Sequence, residues 1–191
     1  DVARSIKAVL VVHNETSTGV TSSVAAVRRA LDDADHPALL LVDAVSSLAS
    51  IDFQFDVWRV DVVLTGSQKG LMLPPGIGIL AIGERALAAS DSATAPRYFL
   101  DWRPVLEQMS SGYFPYTPAT LLLFGLREAL RMLDDEGLDN VYARHAELAG
   151  CVRAAVAAWG LELLCRDPAE QSNTASTIVM PDGTDAGDVI T

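Results

Sequence analysis

The sequence predicts an α/β domain built on a largely parallel sheet. Short, mainly apolar runs at 6–12, 38–42 and 62–65, interrupted only by Lys7 and Thr65, have strand length and lack the alternation of a half-solvated strand. Each run ends in a polar loop, and helix-spaced apolar residues stand between strands, the order expected of βαβ units. The 191 residues are 50% hydrophobic and 20% charged, which excludes disorder and supplies a core for one domain with part of a second.

The first strand runs into His13-Asn14-Glu15-Thr16-Ser17-Thr18-Gly19. A Thr21/Ser22 cap then opens a helix carrying Val24, Val27 and Leu31, which breaks at Asp32-Asp33. The second strand ends at Asp43, and the third ends in Gly66-Ser67-Gln68-Lys69-Gly70. After the Pro74-Pro75-Gly76 turn, residues 77–82 read as a strand able to return antiparallel. Residues 90–118, rich in Ser, Pro and Tyr, read as an irregular excursion anchored by Phe99, Trp102 and Phe114. Leu122, Leu126, Ala129, Leu130 and Leu133 form a helical stripe closed by Gly137. A second stripe, Val141, His145, Leu148, Val152, Val156 and Trp159, is closed by Gly160. Residues 161–165 and 175–180 then read as two strands of a separate small unit. The division is a large domain over 1–159 and the start of a smaller one over 160–191.

Fourteen basic against twenty-five acidic residues give a net charge of −11 with no Lys/Arg cluster, which argues against a nucleic-acid groove or an anionic membrane surface. No apolar run approaches bilayer length. Cys151 and Cys165 form neither a CxxC nor a disulfide framework and read as packing residues in a reducing, cytoplasmic setting. The compartment would be peroxisomal in a eukaryote carrying a terminal address. The chain opens on Asp1-Val2-Ala3 beside a strand and stops at Asp188-Val189-Ile190-Thr191 where a helix begins, so it reads as an interior piece of a longer protein.

Ligands of open α/β sheets sit outside the carboxyl ends of the strands, where the loops 13–19, 43–47 and 66–70 gather here. A carboxylate at Asp43, directly after an apolar strand, needs a partner, and a helix cap through Ser46 and Ser47 would be one. Lys69, in a Gly-flanked turn after another strand, is poorly placed to reach solvent, unless it snorkels. A desolvated lysine presents a neutral amine able to form a Schiff base. One cofactor accounts for both groups: pyridoxal phosphate needs a lysine for its aldehyde and an acid for its ring nitrogen. Thr16, Ser17, Thr18, Ser67 and Gln68 are candidate hydrogen-bonding partners for its hydroxyl and phosphate.

The stretches from His13 to Val20, from Leu40 to Ser47 and from Gly66 to Gly76, with Tyr116-Thr117-Pro118 and Leu126-Arg127-Glu128-Ala129-Leu130, resemble class V aminotransferases. Within that class the likeness is greatest to the serine–glyoxylate enzymes, followed by the alanine–glyoxylate enzymes. The resemblance implies a mostly parallel sheet flanked by helices, the large domain of a fold-type-I pyridoxal phosphate enzyme, followed by the start of a small α+β domain. It implies Lys69 as Schiff-base lysine, Asp43 as partner of the pyridine nitrogen, Thr16 beside the ring oxygen and Gln68 as a polar contact. It also implies a homodimer in which Thr117 reaches the neighbour's phosphate. A tyrosine usually shares that task, and here the aligned position holds Phe114, with Tyr113 beside it. The family's phosphate cradle, ring-stacking aromatic and carboxylate-binding arginine have no counterpart within these residues.

Other readings compete with this one. The GxxxxGK[ST] and GxGxxG spacings are absent, and His13-Asn14-Glu15 lacks the PCxxC that a zinc deaminase requires. A class V lyase or desulfurase remains an alternative, although a desulfurase needs a nucleophilic cysteine. So does a catalytically incomplete piece that only assembles with a partner. His13 reads as a loop hydrogen-bonder, His36 as a surface residue and His145 as a partly buried helix residue.

Overall fold

The computed structural model describes residues 4–190, so Asp1, Val2, Ala3 and Thr191 of the two chain ends lie outside the described residues. Strands β1 (Ala8–Val12), β2 (Asn14–Glu15) and β3 (Val20–Thr21) precede helix α1 (Val24–Asp33). Strands β4 (Leu39–Asp43), β5 (Val62–Gly66) and β6 (Gly78–Ile82) follow, then helices α2 (Glu84–Asp91), α3 (Trp102–Met109), α4 (Thr120–Glu136) and α5 (Leu138–Ala158). Two short strands, β7 (Glu162–Leu163) and β8 (Ile178–Val179), and the single turn α6 (Gly187–Ile190) complete the order.

The central sheet runs β1-β4-β5-β6. The first three strands are parallel, and β6 returns antiparallel on β5, as residues 77–82 were expected to do. In register, Val12 faces Asp43 and Asp43 faces Leu64, so the loops after these strands leave one edge of the sheet together. Leu40, Val42 and Val63 point to one side and form a core with Val24 and Leu31 of α1, against which Phe53 and Trp58 pack. The opposite side departs from expectation. Leu10 is 76% exposed, and Val12, Leu64 and Leu80 are exposed beside it. The apolar run of β1 therefore records two apolar faces of which this chain fills one.

Ser23, rather than Thr21 or Ser22, caps α1, its hydroxyl accepting from Ala26 N at 3.2 Å. Thr21 is already engaged, its backbone in β3 and its hydroxyl donating to Asn14 Oδ1 at 2.9 Å. The excursion at 90–118 is more ordered than its composition suggests, since α3 lies within it. Asp101 caps α3 and is clamped by Arg103, whose hydrogen bonds hold its carboxyl down at about 2.

Helices α4 and α5 meet at Gly137, whose φ of +81° is open to glycine at little steric cost. Ala129, Leu133 and Val141 from this pair enclose Leu71 and Leu73, the apolar residues just after Lys69. Leu148, Val152 and Trp159 of the expected α5 stripe are exposed, as is Cys151, which therefore is not the packing residue expected; Cys165 is buried. The strands expected at 161–165 and 175–180 shorten to a two-residue ladder. The chain between them turns back instead onto the first loop, where Gln171 bridges Val20.

Candidate active site

Three segments build the site at the carboxyl edge of the sheet. The loop after β1 is pinned to the turn after β4 through His13. Its backbone N–H donates to Asp43 O at 2.9 Å, and its ring Nδ1 lies 2.9 Å from Ser47 Oγ. The imidazole is buried against Phe53 and Trp58, and this burial pushes its pKa below the usual histidine value against the opposing charge of Asp52. It is the loop hydrogen-bonder expected. Ser47 is wholly buried.

Asp43 does not cap a helix, because turns rather than a helix occupy 45–50. Its Oδ1 accepts the Val45 N–H at 2.9 Å, which fixes the carboxylate at the end of β4. Thr16 is exposed, and its Oγ1 lies 2.9 Å from Ser46 Oγ.

The turn carrying Lys69 is stapled by Ser67. The Ser67 hydroxyl donates to Pro74 O at 2.8 Å and accepts from Ile77 N at 3.2 Å. Ser67 is thus spent inside the turn and unavailable to a ligand, contrary to expectation. Ser17 is likewise engaged, its N–H and hydroxyl both donating to Glu15 Oε1, and these bonds hold the Glu15 carboxyl below its usual range. The Thr18 hydroxyl donates to Glu15 O at 3.5 Å. Gln68 is exposed and folds over Gly66, where a Cβ would stand 2.9 Å from its Oε1.

Lys69 is exposed rather than desolvated. Leu71 and Leu73 are the residues this turn gives to the core, which leaves the lysine on the rim of an open cavity. That cavity, of about 650 Å³, is lined by Lys69, Thr16, Ser46, His145 and Thr174, among others. Asp43 and Gln68 are not in its wall but leave the same sheet edge, Asp43 in register with Leu64 two residues before Gly66. Thr117 and Tyr113 stand elsewhere, Thr117 in a groove with Leu80, Phe99 and Trp102 and both residues at a second surface pocket with Phe114. The structure therefore brings together Lys69 and Thr16, sets Asp43 and Gln68 on the same edge, and separates Thr117 and Tyr113 from them.

Sequence reasoning missed three contributors. A Cβ on Gly70 would lie 2.2 Å from Leu48 O, so only glycine lets the lysine turn seat on the 45–50 turn. The glycine beside Lys69 was a visible signal for that contact. Asn14 and Thr174 join the site through a hydrogen bond of 2.9 Å across 160 residues, for which no local pattern exists.

A family model for aminotransferase class V matches residues 1–191. This chain belongs to the class V aminotransferases. It is 51% identical to the serine–glyoxylate aminotransferase of Methylorubrum extorquens over 195 aligned residues, covering 100% of this chain and 48% of that protein. It is 48% identical to the L-aspartate–glyoxylate aminotransferase of Paracoccus denitrificans, again over 100% of this chain and 48% of the relative. The crystal structure of an alanine–glyoxylate aminotransferase from Nostoc sp. superposes with a TM-score of 0.86 at 31% identity, covering 94% of this chain and 48% of that one. The chain thus spans about half the length of the curated relatives it matches. Its α/β fold is that of the fold-type-I aminotransferases, as the sequence implied. Among the described residues, no helix is long and apolar enough to cross a membrane.

The family is pyridoxal phosphate dependent. The residues present fit that group chemically: a primary amine and a hydroxyl facing one cavity, and a carboxylate fixed at the adjoining strand end.

Proposed function

We propose that the whole protein transfers the amino group of serine to glyoxylate, giving hydroxypyruvate and glycine, with pyridoxal phosphate held on Lys69. The observation that carries this reading is the exposed Lys69 amine on a cavity rim shared with Thr16, in a turn that Ser67, Gly70 and Leu71 fix in place. Glyoxylate is common to the names of the serine, aspartate and alanine relatives, whereas the amino donor varies among them. Serine is favoured as donor by likeness to serine–glyoxylate enzymes from several organisms.

When bound, the cofactor supplies an aldehyde for the amino group and a protonated ring that takes up the electron pair released at the substrate α-carbon. Lys69 Nζ anchors that group and, when free, accepts the proton leaving the α-carbon. The Asp43 carboxylate, oriented by Val45 N–H, holds a proton on the ring nitrogen. Thr16 Oγ1 and the Gln68 amide orient the ring. Thr117, with Tyr113 beside it, stands apart from Lys69 and serves the site of a second copy in a homodimer.

The test is borohydride reduction of the full-length protein loaded with pyridoxal phosphate, followed by peptide mass spectrometry. A pyridoxyl adduct confined to Lys69 and lost in a folded Lys69→Ala variant is the expected result. Equal labelling of that variant overturns the assignment. Assays of serine, aspartate and alanine against glyoxylate then identify the donor, and serine is expected to give the highest kcat/KM.

A further inference from the structure

Residues 170–177, remote in sequence from the loop at 13–19, lie directly on it. Ser172 N donates to Gly19 O at 2.9 Å, and Thr21 N donates to Glu170 O at 2.7 Å. The Thr177 hydroxyl donates to Ser17 O at 3.1 Å. Gly19, at φ +68°, permits the approach: a Cβ there would stand 3.1 Å from Thr177 N and 3.2 Å from Ala175 O.

Within this seam runs a directed chain of hydrogen bonds. The Thr21 hydroxyl donates to Asn14 Oδ1, and Asn14 Nδ2 donates to Thr174 Oγ1, both at 2.9 Å. The Thr174 hydroxyl gives its one proton to Ser46 O at 2.8 Å. Ser172 Oγ, 3.2 Å from Thr174 Oγ1, must then be the donor in that contact, and it accepts from the N–H groups of Thr174 and Ala175. Asn14 is 3% exposed, so its amide depends on these partners. The chain ends on Ser46, whose own hydroxyl lies 2.9 Å from Thr16 Oγ1. Thr174, Ser46, Thr16 and Lys69 all face the same cavity.

We infer that Thr174 is a positioning residue: acting through Ser46, it fixes where the Thr16 hydroxyl stands in the Lys69 cavity. The inference rests on the reading of that cavity as the cofactor site. It assigns Thr174 no contact with reacting atoms. Thr174 is itself exposed, so exchanging its hydroxyl for a methyl group leaves the core intact.

The experiment uses the full-length protein, stripped of cofactor and titrated with pyridoxal 5′-phosphate. Thr174→Val is expected to weaken cofactor binding roughly fivefold, the equivalent of one ordinary hydrogen bond, and to shift the pH titration of the bound cofactor's absorption band. Thr174→Ser is expected to restore both to within about twofold, since it returns the hydroxyl. Thr174→Ala carries the same expectation as valine should the valine variant misfold. Wild-type affinity and a wild-type titration in Thr174→Val overturn the inference, as does a loss that serine fails to restore. If the wild type gives no Lys69 adduct on borohydride reduction, the cofactor reading fails first and the inference goes with it. An adduct in the wild type together with an unaffected Thr174→Val leaves the cofactor reading standing alone.

Discussion

His13 shows how one side chain ties acid–base chemistry to architecture. Its ring is packed among Phe53, Trp58 and Ser47, and burial lowers its pKa from 6.5. The folded protein therefore prefers the neutral imidazole, and the unfolded chain binds the proton more readily. Stability from this group is complete above pH 6.5 and is lost as pH falls from there through the folded value. Asp52 is the charged group whose field opposes the shift. His13→Gln is expected to melt at a lower temperature than the wild type at about pH 7.5, and to lose less on acidification to about pH 5. Melting curves across that range check the sign, and parallel slopes would place the proton elsewhere. Asp43 and Lys69 carry a different lesson, because both hold their places through neighbours in the backbone. Val45 N–H orients the acid, and Ser67 staples the turn that presents the amine.

At the scale of elements, the decisive contact is between two turns. Gly70 lies against Leu48 O and the Ser50 hydroxyl, where a Cβ would stand 2.2 and 2.7 Å away. Gly70→Ala must push the lysine turn off the 45–50 turn, at a cost of about 1–3 kcal/mol for an overpacked contact. The expected outcome is a lower Tm together with weaker pyridoxal phosphate binding, read by thermal melts and cofactor titration of the same variant. This level also shows what the sequence made legible. The parallel strands, the antiparallel return at 77–82 and the two long helices closed by Gly137 and Gly160 follow from apolar periodicity and glycine punctuation. Helix α3 was missed because Tyr, Ser and Pro around 90–118 mask a short helix whose cap, Asp101, is paired with Arg103. Lys69 was legible as a candidate and its exposure was not, since the choice of Leu71 and Leu73 for the core depends on α4 and α5. Asn14 and Thr174 were illegible as a pair because local periodicity carries no information over such a separation.

For the whole molecule, the distribution of exposed apolar residues matters most. Phe99 and Leu100 are exposed in the groove that holds Thr117, and Tyr98, Leu121 and Phe124 are exposed in the adjoining sequence. Patches of this kind mark contact surfaces more often than solvated ones. In the proposed homodimer this region meets the second copy, so Leu121→Glu in the full-length protein is expected to shift a dimer toward monomer and weaken cofactor binding together. Sedimentation velocity over a dilution series checks the first effect. A variant that stays dimeric at every dilution would remove this surface from the interface.

The bond between Asn14 and Thr174 also orders events in time. Its two ends are 160 residues apart, so a ribosome adding about 5–20 residues per second needs roughly 8–30 s between making one and the other. Throughout that interval the loop bearing Thr16 lacks the partner that closes it, even though its own strands can already pair. A nascent chain arrested before Thr174 should therefore show β1 and β4 protected from hydrogen exchange while the Asn14 side-chain amide still exchanges freely, so this loop matures after the strands that carry it.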